Sequence, residues 1–172
     1  MRNQTGGSKG KSAPSFLWNY ILPGLAVCLI SWSSCSVQKP NEWVNPFVGT
    51  GGHGHCFPGA AYPFGMMQLS PDTRLEGWDG CSGYHYTDSL IYGFSHTHLS
   101  GTGVPDYCDI LFMPGTGKAH FENGAVGKEG YRSSFDKSTE HASPGFYEVF
   151  LKNYGVHVSL TVGKRTGMHK YL

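Results

Sequence analysis

Between Asn45 and Pro114, seventy residues carry two His-x-His pairs, five aspartates and a tryptophan set between glycines. The pairs are His53/His55 and His96/His98, and the aspartates are Asp72, Asp79, Asp88, Asp106 and Asp109. On a strand, residues i and i+2 face the same way, so each pair has the spacing to clamp a metal, with Asp106 or Asp109 completing the set. Set among glycines and rings, the same histidines serve as directional hydrogen-bond groups. That second reading is the one the segment favours. Trp78 stands in Gly77-Trp78-Asp79-Gly80, where flanking glycines let an indole project from a loop. A flat face with a polar edge is suited to stacking on a sugar ring. The Gly51-Gly52-His53 turn brings bare backbone and an imidazole to the same kind of surface, and Arg74 adds a planar fork for two hydroxyls.

The carboxylates are less decisive. Glycosidic hydrolysis needs two of them about 5 to 9.5 Å apart, and no pair announces itself by spacing. In Ser70-Pro71-Asp72-Thr73-Arg74, Asp72 and Arg74 are placed as in a turn with a local ion pair. Other chemistries fail on their own terms: there is no GxxxxGK[ST] loop, no GxGxxG between strand and helix, and no GxSxG elbow.

The elements that must position these groups read as short strands. Residues 146–152 place Tyr147, Val149 and Leu151 on one face, and residues 156–162 place Val156, Val158, Leu160 and Val162 on one face. Period two with β-branched residues marks half-buried strands, and Asn153-Tyr154-Gly155 between them suits a hairpin. Weaker candidates are the apolar run from Phe64 to Ser70, bounded by Pro63 and Pro71, then Leu90–Leu99, Tyr107–Met113 and Met168–Leu172. Pro and Gly punctuation leaves no room for long helices. The expected fold is all-β, an antiparallel β-sandwich.

Composition sets the limits. Net charge is +1, with no basic run after Lys11, which excludes nucleic acid as the main partner. Charged residues make up 15%, against roughly a quarter in typical domains, so specificity falls to neutral polar groups and rings. Of five cysteines, Cys28 and Cys35 lie in or beside the N-terminal apolar segment. Cys56, Cys81 and Cys108 form no zinc-type spacing and read as free thiols, with a Cys56–Cys81 bridge as the alternative. Residues 1–14 carry Arg2, Lys9 and Lys11 without an acid, residues 15–32 are mostly apolar, and Ser33-Ser34-Cys35-Ser36 follows. This is the pattern of an export leader over residues 1–35. Cys35 resembles the lipidated first residue of a mature lipoprotein, which implies membrane contact only through that anchor. Residues 36–42 then form a linker, and the exported domain spans 43–172.

The motifs NPFVGTGGHGHCFPGAAYPFGMMQLSPDTR, GWDGCSGYHY and GFSHTHLSGTGVPDYCDILFMP closely resemble the N-terminal domain of glycoside hydrolase family 92. The resemblance covers about residues 43–172. It implies a calcium-dependent, inverting exo-α-mannosidase of the bacterial cell envelope, often from Bacteroidetes, that acts on N-glycans or mannan. In that family a β-sandwich is paired with a C-terminal (α/α)6 barrel, and the site lies between them. The resemblance also implies that the catalytic acid, the base and the calcium ligands belong mainly to the helical domain, so no catalytic residue and no metal ligand is assigned in this chain. By motif, Trp78 is expected to wall the sugar subsites, and Gly51, Gly52, His53 and Arg74 to contact substrate. The chain is accordingly expected to be an incomplete, inactive portion of a longer enzyme, poorly soluble through an exposed apolar face. Two competing readings are a free-standing carbohydrate-binding module and a metal-dependent hydrolase built on the His-x-His pairs.

Overall fold

The computed structural model describes residues 39–125 and 127–172. The leader, with Cys28 and the expected lipidation site Cys35, lies outside the described residues. Among the described residues there is no α-helix, only 3-10 turns at Pro40–Trp43, Trp78–Gly80 and Lys137–Thr139. Nine strands follow in chain order. They are β1 (Ala60–Ala61), β2 (Gln68–Asp72), β3 (Leu90–Ile91), β4 (Gly93–Ser95), β5 (Ser133–Ser134), β6 (His141–Ser143), β7 (Phe146–Leu151), β8 (Val156–Val162) and β9 (Gly167–Tyr171). All pairings are antiparallel. One sheet has the order β1-β2-β4, a second runs β6-β7-β8-β9, and β3 pairs with β5.

The two larger sheets pack face to face, with β1 and β2 against β7 and β8. Alternation along β7 and β8 explains this. Tyr147, Val149 and Leu151 are buried on one face of β7, and Val156, Val158 and Leu160 on one face of β8. They meet Leu69 and Phe94 from the opposite layer, and Ile91 and Phe135 from the β3–β5 side. Each such side chain contributes about 1.5–3 kcal/mol by leaving water. The β-sandwich expected from the sequence is therefore the observed fold.

Three strand expectations shift. The run from Phe64 enters a strand only at Gln68, and that strand continues through Pro71, which faces Phe94. The segment from Leu90 breaks at Tyr92 into β3 and β4, and β4 stops at Ser95, so neither His96 nor His98 sits on a strand. Tyr107–Met113 is not a strand. Tyr107, Cys108 and Ile110 all have left-handed backbone, and only Phe112 bridges to Phe94.

A buried polar knot locks one end of the sandwich. The Glu140 carboxylate accepts from Tyr147 Oη at 2.7 Å, from Tyr84 Oη at 2.9 Å and from Lys137 Nζ at 2.9 Å. The Lys137 ammonium also lies 4.7 Å from the ring centres of Tyr84, Tyr86 and Phe135, close enough for cation–π attraction. Burial, then the Glu140 charge, pushes both phenols well above their ordinary pKa, so both donate as neutral hydroxyls.

Candidate functional site

Trp78 opens the 3-10 turn Trp78–Gly80 and is 54% exposed. Its ring is flanked by His55, edge-on at 4.3 Å between centres, and by His53, tilted at 5.0 Å. Asp79 joins them from below. It accepts from His53 Nδ1 at 2.7 Å and lies 3.7 Å from His55 Nε2. The hydrogen bond from His53 holds the Asp79 carboxyl below its ordinary pKa, so it stays an ionised acceptor. The first His-x-His pair thus converges on a carboxylate and an indole.

Main-chain contacts fix the loop that carries His53. Cys56 N donates to Gly49 O at 3.0 Å and Gly54 N to Gly51 O at 3.2 Å. Gly54 lies so close to Gly49 that a Cβ there would collide with the Gly49 carbonyl. Tyr86 N donates to Thr50 O at 2.8 Å, and His85 Nε2 lies 3.2 Å from Gly52 O, tying this loop to the Tyr84–Tyr86 segment. Gly51, Gly52, His53 and Trp78 therefore share one surface. In the Tyr84-His85-Tyr86 stretch, Tyr84 and His85 are buried and Tyr86 is exposed.

Arg74 differs from the local pairing read in the sequence. Its guanidinium binds Asp88 through both Nε and Nη2, and Nη2 also reaches Thr87. Thr73 Oγ1 adds a further donor to Asp88 at 3.0 Å. Asp72 turns the other way, to His98 Nε2 at 2.9 Å. The reason is direction: Asp72 ends β2 facing inward, while Arg74 has already left the strand. Two of the five Arg74 N–H groups are spent on the carboxylate. Its side chain lines a cleft of about 320 Å³ with Asp72, Tyr92, Tyr107, Cys108 and Leu111.

The second His-x-His pair is split. His96 Nε2 lies 3.1 Å from His169 Nε2 on β9, whereas His98 is buried against Asp72. Burial, then the neighbouring His96, lowers the His169 pKa to about 4. The pair therefore does not clamp one ion between its own members. Asp106 accepts from the Tyr107 N–H, and Asp109 from Thr97 Oγ1. Cys56, Cys81 and Cys108 are free thiols, and burial, then the charge of Asp72, pushes the Cys108 thiol up to about 12.

Sequence reasoning missed Asp79 as the group that gathers His53 and His55. Its position beside Trp78 was the available signal. It also missed the grouping of Asp72, His98 and Cys108, whose ligand atoms lie within 4.8 Å of one another; no local spacing encodes it.

Residues 43–172 match the Glycosyl hydrolase family 92 N-terminal domain. A family 92 α-mannosidase from Bacteroides thetaiotaomicron, solved with mannoimidazole, is 47% identical with a TM-score of 0.73, over 78% of this chain and 18% of that one. A second family 92 glycosyl hydrolase is 32% identical with a TM-score of 0.66, over 76% of this chain and 18% of that one. An uncharacterized secreted glycosidase of Arthroderma benhamiae is 30% identical over 132 residues, 76% of this chain and 17% of the relative. The chain thus spans less than a fifth of the length of these relatives.

Proposed function

The chain belongs to glycoside hydrolase family 92, and from that premise we propose that it is the glycan-gripping β-sandwich of an exported exo-α-mannosidase. The observation that carries this is the exposed Trp78 indole, flanked by His53 and His55 over an ionised Asp79, inside the matched region. An apolar face ringed by fixed donors and acceptors is what a hydroxyl-rich ring requires. Gly51 and Gly52 keep the approach low, and His53 offers a hydrogen bond. Arg74, held by Asp88, presents its remaining N–H groups. Identity to a mannosidase solved with mannoimidazole supports mannose-containing glycans as the ligand, N-glycans or mannan among them. A secreted relative and the leader pattern support export, with Cys35 as a lipid anchor.

These side chains bind and orient. On this reading the acid, the base and a calcium ion belong to the (α/α)6 domain that the family resemblance implies. Calcium takes six to eight oxygen ligands. Among the described residues, the three-ligand group pairs one carboxylate with a nitrogen and a sulfur, so it does not suit calcium, and no step here passes through that ion.

A mannose-release assay on the purified chain, with calorimetric titration of methyl α-mannoside and a mannobiose, tests the proposal. No release and weak or undetectable binding are expected. Clear release by the chain alone would overturn it, and tight stoichiometric binding without release would favour a free-standing binding module.

A further inference from the structure

At the wall of the cleft, Asp72, His98 and Cys108 bring three ligand atoms together. His98 Nδ1 lies 2.8 Å from the Gln68 carbonyl, so that nitrogen carries the ring proton and donates it. In the neutral ring, Nε2 then points a lone pair at Asp72 Oδ1, 2.9 Å away, with Ser95 Oγ at 3.2 Å. Asp72 is only 2% exposed, and its Oδ2 is buried with no hydrogen-bond partner. The Cys108 sulfur completes a group whose ligand atoms all lie within 4.8 Å of one another. A lone pair facing a carboxylate is repulsive, and an unpartnered buried carboxylate oxygen is costly. Without a metal, a proton on Nε2 and the Cys108 S–H would have to answer the carboxylate separately. A single divalent cation answers the nitrogen, the carboxylate and the sulfur together.

Three further features fit. A ring whose Nδ1 donates to a backbone carbonyl is oriented as metal-binding imidazoles are. Tyr107, Cys108 and Ile110 hold left-handed backbone, a strain that persists only where surroundings impose it, and here it delivers the sulfur to Asp72. Gly83 leaves the space open: a Cβ there would lie 2.8 Å from Asp72 Oδ1 and 2.9 Å from Cys108 Sγ.

We propose that Asp72, His98 and Cys108 form a zinc site in the sandwich. Carboxylate, imidazole and thiolate are the donors zinc takes in tetrahedral sites. Bond lengths of about 2.0–2.3 Å put ligand atoms about 3.3–3.8 Å apart, a small adjustment from the spacing observed. Asp72 and Cys108 both line the cleft, so the fourth position opens toward it for water. Binding exchanges the thiol proton for the metal and releases that proton to solvent. The ion would pin the strained 107–110 segment to the ends of β2 and β4.

The test loads the chelator-treated full chain with Zn²⁺ by calorimetry and with Co²⁺ by absorption. One equivalent of each is expected, with a thiolate-to-cobalt charge-transfer band for Co²⁺. Cys108→Ser, conservative at a partly exposed position, should abolish that band and weaken Zn²⁺ binding at least tenfold. His53→Ala should change neither. Absence of stoichiometric binding in the wild-type chain overturns the proposal. So does binding unchanged in Cys108→Ser, or binding lost in His53→Ala, which would assign the metal to the Asp79 side.

Discussion

Tyr147→Phe is the sharpest probe of the knot around Glu140. The Tyr147 hydroxyl is one of three donors to a carboxylate whose side chain is 1% exposed. Removing it takes away one hydrogen bond to a charged group, about 1.5–3 kcal/mol. That loss should be full at pH 8, where every phenol is protonated in both states. Above pH 10 the difference shrinks. Unfolded tyrosines release their protons near pH 10, while burial and Glu140 keep Tyr84 and Tyr147 protonated in the folded chain. The unfolded state then binds fewer protons, so stability falls as pH rises. Each retained proton costs about 1.4 kcal/mol per pH unit, or about 2.7 for the pair. Tyr154 and Tyr171, also raised by burial, contribute alike to both proteins and cancel in the difference. Without one buried phenol, the variant should lose stability about 1.4 kcal/mol per unit more slowly. The two curves should meet about one to two units above pH 10. Denaturant unfolding followed by fluorescence from pH 8 to 12 measures this, with tyrosinate absorbance of the native protein recorded alongside. Parallel curves, or native absorbance showing both phenols ionising near pH 10, would refute the reasoning.

Leu160→Ala should cost about 2–5 kcal/mol in chemical denaturation, because Leu160 is fully buried between the sheets. Trp78→Ala should stay within about 0.5 kcal/mol by the same measurement, since half its surface already meets water. Comparable costs for the two would mean the indole is a packing residue. Arg74→Lys should lower stability by about 1 kcal/mol in a thermal melt. A point charge cannot replace the two-pronged hold on Asp88, and an unchanged melt would show that the fork is not needed.

Legibility in the sequence followed the range of the interaction. The β7–β8 hairpin was readable because alternation within one strand records a burial the strand itself experiences. Trp78 was readable because glycines on both sides argue against a packed indole. Tyr107–Met113 misled because apolar content alone cannot distinguish a buried strand from a surface segment. Tyr107, Ile110, Leu111 and Phe112 are exposed, and left-handed backbone at Tyr107, Cys108 and Ile110 interrupts the segment before Phe112 bridges to Phe94. The ion pairs were unreadable for a different reason. Asp72 and Arg74 are two residues apart, but Asp72 faces inward at the end of β2 while Arg74 lies beyond it, and their true partners lie 26 and 14 residues away. Nothing in local spacing forecasts which of several acids a histidine will find once the sheets close.

The contact between Gly49 and Gly54 has an evolutionary consequence. Because that loop owes its shape to main-chain packing, its decoration is decoupled from its architecture. His53, 73% exposed at its side chain, can be exchanged without altering the main-chain contacts of the loop on which it stands. Substitutions at His53 can therefore accumulate without disturbing the scaffold, and randomising that position with both glycines intact would show how far the surface chemistry around Trp78 can change.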